Sequence, residues 1–160
     1  MERRPVAVFD LDGTLADTRH RLHYVESSPK DWTAFFRAAD QDPPLEAGIA
    51  LALDWAERCD LAYVTGRPER CRRATHRWLA DQGLPRGTLW MRAPRDFRPA
   101  RVAKPELLRE LAQEREVAVV VDDDAQVCDA YRQAGFQVVT ADWMPPAEAL
   151  HQAQENTGRT

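Results

Sequence analysis

Five short apolar runs constrain the fold more than any other feature of the chain: VAVFD (6–10), LAYVT (61–65), TLWM (88–91), VAVVV (117–121) and QVVT (137–140). Runs this apolar describe strands buried on both faces, the condition of a parallel sheet covered by helices. The segments between them have helical periodicity. Trp32, Phe35, Phe36 and Ala39 share a face after a candidate N-cap at Asp31, and Leu45, Ile49, Ala52, Leu53 and Ala56 share another. Pro68 and Pro105 read as first-turn residues of two further helices, with Cys71, Ala74 and Trp78, and Leu107, Leu108 and Leu111, as their buried stripes. A fifth helix is expected from Ala125 to Ala134, stopped by Gly135. Alternating β and α predicts a Rossmann-like, doubly wound α/β domain of three layers around a mainly parallel five-stranded sheet.

Of the 160 residues 44% are hydrophobic, enough for one core, so residues 1–150 are expected to form a single domain. The polar tail HQAQENTGRT (151–160) is expected to fray. No run approaches the length that spans a bilayer, and the N-terminus enters a strand pattern too early for a signal peptide. A cytoplasmic protein with no membrane partner is the expectation. Cys59, Cys71 and Cys128 are far apart, odd in number and without C-x-x-C spacing, so they read as small apolar groups rather than disulfides or zinc ligands.

In an open parallel sheet, ligands bind beyond the carboxyl ends of the strands. Asp10 ends the first run, with Asp12 two residues on; Thr65 ends the second; Asp122, Asp123 and Asp124 follow the fourth. Two carboxylates about 4 Å apart repel by roughly 4 kcal/mol at an effective dielectric near 20, so their convergence calls for a cation. An all-oxygen ligand set suits Mg²⁺. A carboxylate beside Mg²⁺ can attack phosphorus, and a second, uncoordinated one can move protons for the leaving group and the water. Gly13 would let the chain turn so that Asp12 reaches the same rim. Threonine hydroxyls, helix-terminal N–H groups and a lysine would hold the transferring phosphoryl group. Asp124 receives no role, and surface or capping roles are expected for His20, His23, His76 and His151.

DLDGT (10–14), VTGR (64–67), Lys104 and VVVDDD (119–124) resemble, in order, the four motifs of the haloacid dehalogenase superfamily of phosphotransferases. The resemblance implies Asp10 as nucleophile, Asp12 as general acid/base, and Thr65 and Lys104 as phosphate holders. It also implies Mg²⁺ held by Asp10, the backbone carbonyl of Asp12, and Asp122, with Asp123 beside them. The acid at position 12 points to phosphate chemistry rather than dehalogenation. The span from Asp10 to Thr65 has room for a helical flap at about 18–44 but not for a full cap domain, and an open site suits a large substrate or a partner subunit that closes it.

DLDGTLADTRHRLHY, VTGRPERCRRATHRWL and VDDDAQVCDAYRQAGFQV are similar to the 3′-phosphatase domain of phage-type polynucleotide kinase/phosphatases. That resemblance adds Arg21, Gly66 and Arg67 as contacts to the substrate phosphate, a role for which the planar guanidinium is well shaped. It departs where that domain has an acid shortly before its lysine: here the segment reads RPARVAK, with Asp96 nearest. No P-loop is present. The segment 67–104 contains eleven basic residues against three acidic ones, in a chain of net charge −4, and this basic stretch fits nucleic acid ends as partners. Trp90 and Phe97, the aromatics within its later half, read as core side chains. The expected activity is Mg²⁺-dependent hydrolysis of a phosphomonoester, preferably a polynucleotide 3′-phosphate or a nucleotide; the alternatives are a small-metabolite phosphatase and a non-catalytic phosphate-binding module.

Overall fold

The apolar runs form strands whose alternate side chains feed two cores. The computed structural model, which describes residues 3–158, contains β1 (Val6–Phe9), β2 (Asp60–Pro68), β3 (Thr88–Arg92), β4 (Val117–Asp122) and β5 (Val138–Thr140). They make one sheet in the order β3-β2-β1-β4-β5, parallel at every pairing. In β1, Ala7 and Phe9 enter one core with Ala52, Trp78 and Leu79, while Val6 and Val8 enter the other with Ala100, Leu108, Val127 and Tyr131. Accordingly α3 (Glu46–Ala56) and α4 (Arg72–Asp81) cover one face, and α5 (Ala100–Glu114) and α6 (Ala125–Gln133) the other. Between β1 and β2 the chain inserts two short helices, α1 (His23–Glu26) and α2 (Trp32–Arg37), the latter capped by Asp31, which accepts from the Ala34 N–H at 3.0 Å.

The strand order puts a switch point between β1 and β4: the chain winds outward to β3, then returns to the other side of β1. Loops leaving adjacent strands toward opposite faces open a crevice at their carboxyl ends. The DLDGT turn and the triple aspartate flank that crevice.

Four local expectations change. β2 runs on to Pro68, so Thr65, Gly66 and Arg67 lie in extended chain, and α4 starts at Arg72 after a 3-10 turn, not at Pro68. Its buried side is therefore Thr75, Trp78 and Leu79, and Ala74 is exposed. In α3, Gly48 and Ala52 face inward while Leu53 is 43% exposed. Pro105 is the sixth residue of α5 rather than in its first turn, which leaves the Arg101 carbonyl without its helical donor. Finally, the tail does not fray over its first part: Glu148–Asn156 form α7, with Leu150, Ala153 and Gln154 buried. Leu150 and Ala147 pack against Val25, Phe35 and Phe36 of the insert, and Glu155 pairs with Arg101 of α5 at 2.8 Å. Those partners lie more than forty residues away in sequence, so local composition does not announce them. Among the described residues no helix is long and apolar enough to cross a membrane.

Helix α3 approaches the DLDGT turn so closely that a Cβ on Gly48 would come within 2.0 Å of the Thr14 carbonyl oxygen, which also accepts from Trp143 Nε1 at 2.8 Å. Gly48→Ala is expected to push these elements apart and cost about 1–3 kcal/mol, the usual scale of overpacking. Urea denaturation of the two proteins measures the difference.

Candidate active site

Asp10 follows β1 directly and is 5% exposed. Lys104, projecting from α5, places Nζ 3.0 Å from Asp10 Oδ1 and 2.7 Å from Asp122 Oδ2. Thr14 donates its hydroxyl to Asp10 Oδ2 at 3.2 Å. Asp123 stands beside them, and oxygens of Asp10, Asp122 and Asp123 all lie within 4.8 Å of one another. Gly13 makes this packing feasible. Its φ is +85°, and a Cβ there would meet Asp123 Oδ2 at 2.1 Å. The loop behind the acids is held by its own side chains: Asp122 Oδ1 accepts from the Asp124 N–H at 2.9 Å, and Asp124 caps α6 by accepting from the Gln126 N–H at 2.9 Å. Asp124 thus has a structural role that the triplet's sequence did not reveal.

A second group of charges adjoins the first. Arg67 Nη2 is 2.6 Å and Arg21 Nη2 2.8 Å from Asp12 Oδ1, and both guanidinium groups are fully enclosed. Asp42 completes the group: it accepts from Arg21 Nε and Nη2, each at 2.8 Å, and faces Arg67 Nη2 at 3.3 Å. His20 Nε2 lies 2.6 Å from the same carboxylate, and Arg67 Nη1 donates to the Thr75 hydroxyl at 3.2 Å. Thr65 is buried, and its hydroxyl accepts the Arg67 N–H at 3.1 Å.

The two poles differ in charge. At the arginine pole two carboxylates meet two guanidiniums, and burial of Asp12, which alone would raise its pKa, is outweighed by Arg67 and Arg21, which hold it at about 2. At the other pole three carboxylates meet one ammonium and His151. Burial, then the charge of Asp122, pushes the Asp10 carboxyl well above the usual carboxylate range. Burial likewise raises Asp123, whose Oδ1 is enclosed without a hydrogen-bond partner among the described residues. A divalent cation fits this pole on its donor chemistry: hard oxygen atoms in mutual repulsion, one of them unsatisfied.

Of the residues singled out in the sequence, the structure brings Asp10, Lys104, Asp122 and Asp123 into the first group and Asp12, Arg21 and Arg67 into the second, while Thr65 and Gly66 lie in the extended chain leading to Arg67. Asp42 and His151 were missed. Asp42 precedes Pro43 and Pro44 and reads as turn chemistry; nothing local signals two arginine partners 21 and 25 residues away. His151, in the tail, brings Nε2 to 3.2 Å from Asp123 Oδ2. Asp96 does not supply the acid missing before Lys104, since its carboxylate is engaged by the Arg98 side chain and N–H at 3.0 and 3.1 Å. Trp90 is half-buried against the core, but Phe97 is 63% exposed, contrary to the core role expected of it.

A model of the polynucleotide kinase PNKP phosphatase domain family matches residues 4–143. No curated protein matches the chain. Among solved structures, a chain in the Pnkp1/Rnl/Hen1 RNA repair complex superposes with a TM-score of 0.70 at 24% identity, over 88% of this chain and 44% of that one. The class C acid phosphatase from Bacillus anthracis with tungstate bound gives 0.65 at 18% identity, covering 96% and 73%. The HAD-hydrolase YfnB from Bacillus subtilis, bound to magnesium, gives 0.60 at 11% identity, covering 86% and 88%. These likenesses show a common fold, and this chain spans less than half the length of the repair-complex chain. Helix α7 lies beyond the family match.

Removing Asp42 leaves Arg21 and Arg67 enclosed with one carboxylate between them. Asp42→Ala is expected to lower stability by about 3–5 kcal/mol, as for other broken buried ion pairs, read by chemical denaturation. The hydrogen bond to Asp123 raises the His151 pKa above its ordinary value near 6.5. A group so raised stabilises the fold at lower pH and loses that contribution as pH rises through its folded-state pKa. In chelator-containing buffer, the advantage in thermal midpoint of wild type over His151→Gln should shrink between pH 6 and pH 8.

Proposed function

The chain belongs to the polynucleotide kinase PNKP phosphatase domain family, within the haloacid dehalogenase superfamily, and on that footing we propose that it hydrolyses a polynucleotide 3′-phosphate through an aspartyl phosphate on Asp10, with Mg²⁺ as cofactor. The observation that carries the proposal is the convergence of Asp10, Asp122 and Lys104 within 3.0 Å contacts at the β1/β4 crevice, with Asp12 and two arginines alongside.

Asp10 attacks phosphorus as its P–O ester bond breaks, and Asp12 gives its proton to the departing ester oxygen, which leaves as the free hydroxyl. Water then attacks the aspartyl phosphate, Asp12 takes the water's proton, and inorganic phosphate leaves with Asp10 restored. Asp12, held ionised by Arg21 and Arg67, is ready for the second step. For the first, a substrate phosphate competing for the two guanidiniums would free Asp12 to carry a proton. Thr65, the Gly66 backbone and Lys104 hold the phosphoryl oxygens. Mg²⁺ would be held by Asp10, the Asp12 carbonyl and Asp122, with Asp123 adjacent, and when bound offsets the phosphoryl charge.

Two features favour a nucleic acid substrate. The insert between β1 and β2 offers α-helices of four and six residues and two single 3-10 turns, too little for a cap that encloses a small metabolite. Within the basic segment, Arg70 and Arg95 are exposed and have no carboxylate partner among the described residues, leaving them for phosphates along a strand. The repair-complex chain, named for an RNA repair assembly, is in keeping with this reading.

Mg²⁺-dependent release of phosphate from p-nitrophenyl phosphate should disappear in Asp10→Asn and fall about 10²–10⁴-fold in Asp12→Asn. Equal, negligible rates from wild type and Asp10→Asn would instead indicate a binding module. Turnover of a 3′-phosphorylated oligonucleotide should exceed that of sugar phosphates and fall steeply with added salt.

A further inference from the structure

A groove leaves the phosphoryl site past Gly66 and divides into two lobes that share Gly66, Arg92, Ala93 and Asp96. One lobe, bounded by Thr65 and Lys104, runs along α5. The other, about 160 Å³, is lined by Phe36, Pro68, Arg70, Pro94 and Phe97. Phe97 is the most exposed large hydrophobic residue among those described, at 63%. A lone exposed aromatic is ordinary; this one is held in place. Arg92 Nη1 donates to the carbonyls of Asp96 at 2.9 Å and Arg98 at 3.2 Å, one on either side of Phe97. Asp96 Oδ1 accepts from the Arg98 N–H at 3.1 Å and closes the turn. Buried Gly158 backs the loop, so near the Phe97 backbone that a Cβ would lie 2.6 Å from its carbonyl carbon. The loop is braced from three sides and its ring still points outward.

We propose that this second lobe is a subsite for the 3′-terminal nucleobase of the substrate, with Phe97 as the face on which the base stacks. The inference rests on the phosphomonoesterase reading above and adds the part of the substrate beyond the phosphate. The lining selects the occupant. Phe97 offers an open aromatic face, and Arg70, 5.6 Å over the ring of the largely buried Phe36, lines the lobe as a cationic group. Arg95, exposed and without a carboxylate partner among the described residues, adds a cation on the same loop as Phe97. A planar base joined to a polyanionic backbone satisfies aromatic and cationic groups at once, whereas an apolar peptide would leave the arginines unmatched. The position agrees with this. The lobe begins at Gly66, between Thr65 and Arg67, so a nucleoside attached to a phosphate held there emerges at its entrance. A platform fixed before binding loses little entropy when the base arrives. Stacking reads no sequence, so the subsite would accept any base, on DNA or RNA.

The test compares three substrates on wild type, Phe97→Ala and Phe97→Trp: a 3′-phosphorylated oligonucleotide ending in adenosine, the same oligonucleotide with an abasic terminal residue, and p-nitrophenyl phosphate. Phe97→Ala should raise KM for the first about tenfold with kcat little changed, and leave the other two as they are. Phe97→Trp should restore it. Ribo- and deoxyribo-terminated versions should respond alike. Turnover of the adenosine-ended strand that ignores Phe97, or an equal loss on all three substrates, overturns the subsite while leaving the phosphatase reading intact. An enzyme that hydrolyses p-nitrophenyl phosphate but neither cleaves nor binds the oligonucleotides overturns the polynucleotide substrate and the subsite together. If no phosphatase activity is found, fluorescence anisotropy of the labelled 3′-phosphorylated strand decides: binding weakened by Phe97→Ala and restored by Phe97→Trp keeps the subsite, and any other result removes it.

Discussion

The Lys104 ammonium, set between Asp10 and Asp122, is the contact on which the rest of the site depends. Both carboxylates are almost wholly withdrawn from water, at 5% and 1% exposure, where an isolated charge would carry a large desolvation penalty. One cation shared by two anions reduces the repulsion between β1 and β4 at the point where these strands lie side by side. It also ties α5, which covers one face, to the carboxyl edge of the sheet. Burial draws Lys104 toward neutrality, yet the two aspartates more than reverse this and hold its pKa well above the ordinary lysine value. The ammonium therefore stays charged.

The neighbouring arginine group solves the same problem in another way. Arg21 comes from the insert, Arg67 from the end of β2 and Asp42 from the turn leading into α3, and all meet around Asp12. Four buried charges in balance hold the DLDGT turn, the insert and β2 in one arrangement before any ligand arrives. Because breaking such a cluster leaves an unpaired buried charge, it constrains geometry more than it adds stability. Both guanidiniums are thus fixed at the edge of the crevice and already partnered by carboxylates.

Helix α7 closes the arrangement from outside the family match. Leu150 joins the insert, Glu155 reaches α5 and His151 touches Asp123. The C-terminal segment thereby links three elements around the crevice, and Gly158 extends this bracing to the loop bearing Phe97.

The sheet, its partner helices and the shared rim of Asp10, Asp12, Thr65, Asp122 and Asp123 were legible in the sequence, because apolar runs and strand-end residues are local signals repeated along the chain; Arg67 and Lys104 came only from the family resemblance. What escaped was whatever depends on partners remote in sequence. Asp42 looks like any aspartate before two prolines until Arg21 and Arg67 are placed around it. Ala74 and Thr75 exchange faces because β2 continues to Pro68 and delays α4, which turns the Thr75 hydroxyl toward Arg67. Phe97 reads as core by its chemistry and is exposed only because Arg92, Asp96 and Gly158 hold its loop open. The sequence alone therefore determined the fold class and the acids of the crevice, since hydrophobic periodicity and strand-end chemistry are written into consecutive residues. The tertiary structure alone decided which cations neutralise which acids and which aromatic faces solvent, since those outcomes follow from charge balance and packing between segments that meet only after the chain has folded.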